Sequence, residues 1–104
     1  MGWASRHIEK LKAGETVQFR PKGHSMSGKI ESGQLCTVEP FGSSAYDWPA
    51  VGEIVLCKVR GREYLHLISA VQGGDRYQIS NNKGHINGWI SSSAIFGRCT
   101  KVEP

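Results

Sequence analysis

No stretch of this sequence approaches the roughly 20 apolar residues that a membrane-spanning helix needs, and the N-terminus has no apolar run of the kind an export signal requires. Cysteine is scarce and odd in number: Cys36, Cys57 and Cys99 cannot all pair within one chain. No CxxC or CxxH spacing occurs, which argues against zinc, and no cofactor is expected. Each cysteine sits in a β-like run, so free thiols in a reducing, cytoplasmic compartment are the simplest reading. Acidic residues are the minority charge, 9 against 13 Lys and Arg, a net +4 at pH 7. The excess lies in residues 1–30, where Arg6, Lys10, Lys12, Arg20, Lys22 and Lys29 face only Glu9 and Glu15. A solvated basic face accounts for this; attraction of an acidic protein or a nucleic acid is the alternative. There is no internal repeat and no low-complexity tract.

What is present fits one small folded domain. The 104 residues include three each of Trp, Tyr and Phe, enough for one modest core. Thirteen glycines among frequent Val, Ile and Thr favour short strands and tight turns. Residues 1–14 carry a short helix, Ser5–Lys12, with Ser5 able to cap its start and Gly14 its end. Trp3, His7, Ile8 and Leu11 would form its apolar stripe. Residues 15–104 form the β-domain, with strands expected at about 16–20, 35–39, 53–59, 63–71, 76–80, 87–90 and 95–102. The clearest hairpin turns at Arg60-Gly61-Arg62, a second at Gly73-Gly74-Asp75, and Phe41–Pro49 is the longest loop. The expected fold is mainly β: a small coiled sheet or partly open barrel with one N-terminal helix.

Ser25 stands in Gly23-His24-Ser25-Met26-Ser27-Gly28, just after the first strand. By pattern alone it is a turn hydroxyl. As a nucleophile it needs a base. Of the four histidines, His24 is its neighbour in sequence and faces away, His7 is on the helix and His85 is in a turn. His66 lies mid-strand in Tyr64-Leu65-His66-Leu67-Ile68. Tyr64, His66 and Ile68 share one face, and Leu65 and Leu67 the other. A polar ring inside such a strand needs a partner. A backbone carbonyl would serve, and a serine would serve as well.

Three blocks in order bear on this choice. Gly23-His24-Ser25-Met26, followed by Ile30 and Gly33, resembles the G-x-S-M nucleophile block of the LexA-like and signal-peptidase-like serine peptidases. Val51-Gly52-Glu53-Ile54-Val55 resembles their V-G-D-I-V strand, and Glu63–Ile68 stands where they carry the general base. Tyr77–Asn82 is similar to the block containing G-D-N, and Ile95-Phe96-Gly97-Arg98 to the closing strand. The resemblance spans about residues 15–103. It implies that Ser25 is the nucleophile and His66 the base, as in the histidine branch of that family, where others use lysine. It further implies an oxyanion site at the Ser25 N–H with help from a hydroxyl such as Ser27. The substrate would be an extended protein or peptide segment with small side chains near the cut.

The chain departs from the pattern in three places. Gly28 stands where the family has proline, Gln34 where it has an acidic residue, and Asn81 where it has aspartate. Asn81, Asn82 or Asn87 would then orient the histidine in place of a carboxylate. Ala13-Gly14 matches the small-residue pair that LexA-like proteins cut in themselves, but ten residues separate it from Ser25, and Gly14 serves as a helix terminator. The sequence therefore supports a serine peptidase-like protein, with a binding module that has lost turnover as the alternative. A nucleic-acid-binding β-barrel presenting Trp48 and Trp89 is the third reading.

Overall fold

The computed structural model describes residues 2–42 and 47–104. One helix, α1 (Ser5–Lys12), precedes seven strands: β1 (Val17–Phe19), β2 (Leu35–Glu39), β3 (Ile54–Val59), β4 (Arg62–Gln72), β5 (Arg76–Ser80), β6 (Ile86–Ile90) and β7 (Ile95–Glu103). All strand pairs are antiparallel, in one sheet of order β1-β2-β7-β3-β4-β5-β6. The sheet does not close, so β1 and β6 are its two edges. Register shifts in β2–β7, β3–β7, β4–β5 and β5–β6 give it the local irregularity that lets a small sheet coil. The expected mainly β architecture with one short helix is what the structure has, and each strand lies within two residues of its expected bounds. The middle of the expected Phe41–Pro49 loop, residues 43–46, lies outside the described residues.

The first hairpin is tighter than its sequence suggested. Val59 pairs with Arg62, leaving only Arg60 and Gly61 in the turn, at φ 52° and 80°. Two successive positive φ values make a type I′ turn, whose twist matches that of the flanking strands.

The helix ends as expected and starts differently. At its C-terminus Gly14 has φ 86°, its N–H donates to Leu11 O, and the Glu15 N–H donates to Lys10 O. This is a Schellman motif, which explains the Ala13-Gly14 pair without cleavage. At the N-terminus Ser5 is not the cap; Ala4 holds that position, without a side-chain cap bond. A carboxylate from β4 replaces it. Glu63 accepts the Ala4 N–H at 2.7 Å and the Ser5 hydroxyl at 2.7 Å, where the helix end carries partial positive charge. The expected stripe is also altered. Ile8 and Leu11 are buried together with Ala4, whereas Trp3 is half-exposed and His7 stacks on Phe19.

The core has two parts, one on each face of β3 and β4. Ala4, Ile8, Leu11, Met26, Ile30, Leu56 and Leu65 pack together beneath α1, with Leu67 against them. Val55, Cys57, Ile68, Tyr77, Ile79 and Ile95 form the other part, with Tyr64 against them. The alternation expected along β4 is therefore real.

Candidate active site

Ser25 follows β1, His66 is on β4 and Asn87 is on β6, so the site lies where the two edges of the coiled sheet approach each other. The Gly23–Gly33 turn is held at several points. Gly23 has φ 113°, and its N–H donates to Ser32 Oγ at 3.1 Å. Met26 O accepts the Lys29 and Ile30 N–H groups at 3.0 and 2.8 Å, and the Gly33 N–H donates to Pro21 O. Met26 and Ile30 are buried and anchor the turn, while Ser25, just before Met26, is exposed.

The Ser25 Oγ lies 3.2 Å from His66 Nε2, and His66 Nδ1 lies 2.8 Å from Asn87 Oδ1. The carbonyl oxygen of Asn87 can only accept, so Nδ1 carries the ring proton. Nε2 is then bare and accepts from the Ser25 hydroxyl. His66 is 7% exposed, and the Tyr64 ring lies 4.8 Å from its own. Burial pushes its pKa below the ordinary 6.5. The bond to Asn87 opposes that shift, and the charge on His85 adds to it. A neutral ring at pH 7 with its free nitrogen on a serine is a competent proton acceptor.

Of the other residues singled out in the sequence, Asn81 does not orient His66. Its Oδ1 accepts the Lys83 and His85 N–H groups at 2.8 and 2.9 Å, closing its own turn. An Asx side chain is well suited to that local bond. Asn87 holds the ring instead. The Ser27 N–H donates to His24 O, and its carbonyl accepts from Asn82 Nδ2. The Ser25 N–H has no acceptor among the described residues.

Asn82 plays a part that the sequence did not reveal. Its N–H donates to Ser25 O at 2.9 Å and its Nδ2 to Ser27 O at 2.8 Å, so one residue clamps the serine turn on both sides of Met26. Gly28 makes room for it. At φ 96°, a Cβ there would lie 3.1 Å from Asn82 Nδ2. Nothing local in Asn81-Asn82 distinguishes the clamp, because its partners Ser27 and Ser25 lie 55 and 57 residues away. Glu63 was legible in part. It shares a strand face with Leu65 and Leu67, and a carboxylate on an apolar face needs a partner.

The edge of β4 next to the site is open. β3 pairs along Arg62–Leu67, whereas β5 begins to pair only at Leu67. Ile68 bonds toward the β3 side through both backbone groups. By alternation His66, Tyr64 and Arg62 do the same, and Leu65 and Glu63 point the other way. There Glu63 O accepts the Trp3 indole N–H at 3.1 Å. Among the described residues, no strand pairs with Leu65 on that side.

The three cysteines are free, Cys36 and Cys57 buried and Cys99 half-buried, and burial pushes the thiols of Cys36 and Cys57 up to about 12. Among the described residues, no three His, Cys, Asp or Glu side chains gather closely enough to hold a metal ion, and no helix is long and apolar enough to cross a membrane. No family model matches the chain, and no curated protein matches it.

Proposed function

We propose that this protein is a serine peptidase of the LexA-like and signal-peptidase-like kind, using Ser25, His66 and Asn87. The observation that carries the reading is the continuous chain Ser25 Oγ–His66 Nε2, His66 Nδ1–Asn87 Oδ1, at 3.2 and 2.8 Å. A structural histidine needs only one partner. Here both nitrogens are used, in the order that a general base requires.

Ser25 Oγ attacks the peptide carbonyl as its proton passes to His66 Nε2. The tetrahedral oxyanion is held by the Ser25 N–H, a donor of the turn with no acceptor among the described residues. The C–N bond then breaks, and His66 gives the proton to the leaving amine. Water attacks the acyl-enzyme, its proton goes to His66, and the acid leaves as Ser25 regains the proton. The substrate strand pairs with the N–H and C=O of Leu65 on the open edge of β4, so it is extended. Asn87 orients the ring as a carboxylate would but stabilises the imidazolium less, so turnover is modest. Three reduced thiols suit a reducing cytosol.

One specific observation favours the alternative, a binding module without turnover: the amide of Asn87 where a carboxylate would be the stronger partner. Labelling with a small fluorophosphonate separates the two readings. A single adduct on Ser25, absent in Ser25→Ala and His66→Ala, is the expected result. No adduct on the folded protein at pH 8 would leave only the binding module.

A further inference from the structure

Beside Ser25 and His66 the surface opens into a cavity of about 620 Å3. That is well within the roughly 300–1,000 Å3 of sites that enclose whole small molecules, and far more than a methyl group fills. Its walls include Trp3, Phe19, Met26, Tyr64 and Leu65. The Phe19 ring is met edge-on by Trp3 at 5.5 Å and stacked by His7 at 4.5 Å, giving a continuous aromatic wall. Burial, aided by the charge on Lys10, keeps the His7 pKa below its ordinary value, so that ring is neutral at pH 7.

The charged groups around the cavity are largely engaged. Arg20 donates to Gly33 O, Glu31 accepts the Gly28 N–H, and Glu63 is taken by Ala4 and Ser5. Lys22 stands exposed at the rim. Glu31 keeps one carboxylate oxygen free at the exposed rim, whereas the wall itself is apolar and aromatic. A ring entering it finds edge-to-face and offset partners.

We propose that this cavity selects a large apolar, preferentially aromatic, side chain from an extended peptide lying across Ser25, in place of the small side chain that the sequence resemblance implies. This deepens the peptidase reading and rests on it for the placement of the peptide. The cavity's preference can nevertheless be read without turnover.

The test uses Ser25→Ala and a series of acetylated penta-alanine amides in which one Phe is moved along the chain. Binding is followed by NMR titration. At one position Phe should bind at least about tenfold tighter than Ala, the scale set by filling or leaving empty an apolar pocket. Trp3→Ala in the same background should remove most of that advantage; Trp3 is half-exposed, so its loss leaves the core in place. Equal affinity for every peptide, or an undiminished advantage in Trp3→Ala, would overturn the proposal. If the Phe peptide binds as expected and the Ser25 protein neither cuts it nor takes a fluorophosphonate, the cavity's preference stands and the peptidase reading falls.

Discussion

The two halves of β4 belong to one strand and behave differently. At Leu67 and Ile68 the strand is bonded on both sides before β5 alone carries it on to Gln72, and Ile68 is fully buried in one core cluster with Ile79 and Val55. From Arg62 to His66 it is paired on one side only, and that half carries the buried polar residues Glu63 and His66. Where the ladder is complete, the backbone satisfies itself and the side chains need only pack. Where it stops, polar groups from elsewhere enter: the Trp3 indole, the start of α1, Ser25 and Asn87. The candidate site sits in the gap in the hydrogen-bonding of the strand.

The contrast is broken most sharply by exchanging which half is damaged. His66→Ala should abolish fluorophosphonate labelling, a loss of at least about a hundredfold for a missing general base, and cost about 1 kcal/mol in chemical denaturation, as Asn87 loses one bond. Ile68→Ala should do the reverse. It should cost about 2–5 kcal/mol for a large cavity in a fully buried site, with the labelling rate per folded molecule unchanged. If either variant shifts both quantities strongly, the two halves are not separable.

Asn82→Ala sharpens the comparison at smaller amplitude. It keeps the backbone bond to Ser25 O and loses the bond to Ser27 O. Labelling should slow by about tenfold for one lost positioning contact, about 1.4 kcal/mol, while His66 titrates as before. An unchanged rate would show that the buried Met26 and Ile30 hold the turn unaided.

The smallest effects concern protons. Labelling of the parent protein should fall on the acid side with an inflection below 6.5, because His66 acts when neutral and burial lowers its pKa. The same shift makes folding weakly pH-dependent. The unfolded chain binds the proton more readily, so the contribution is present above about 6.5 and is lost as pH falls through that value toward the folded pKa; His7 adds to it in the same direction. Asn87→Asp places a charge beside the imidazolium and should move the labelling inflection upward. An inflection that stays in place in a folded Asn87→Asp variant would show that residue 87 does not face the ring in solution.

Most of the fold was legible because it is written locally: glycine-punctuated strands, period-2 alternation in β4 and a glycine two residues past the end of α1. The Ser25–His66 meeting was legible through the resemblance of the blocks around the two residues to the LexA-like and signal-peptidase-like peptidases; the residue pattern alone left a turn hydroxyl and an imidazole in need of a partner. What the sequence hid was long-range. Ser5 looked like a helix cap, but Glu63, 58 residues on, supplies the acceptor. Asn81, Asn82 and Asn87 were all candidates to orient His66; the Asn81 side chain closes its own turn, Asn82 clamps the serine turn, and Asn87 reaches the ring across the coil of the sheet. In both cases the local pattern named the right kind of group, and tertiary packing decided which residue supplies it.

The central claim is that His66 is a neutral ring with its proton on Nδ1, given to Asn87, and with Nε2 free for Ser25. Nitrogen-detected NMR of the histidine rings reads this directly. At pH 7.5 His66 should show a protonated Nδ1 and a bare Nε2, should titrate below 6.5, and should keep that tautomer in Ser25→Ala. A proton on Nε2, or a ring still charged at pH 7.5, would contradict the account, because neither form can accept the proton of Ser25.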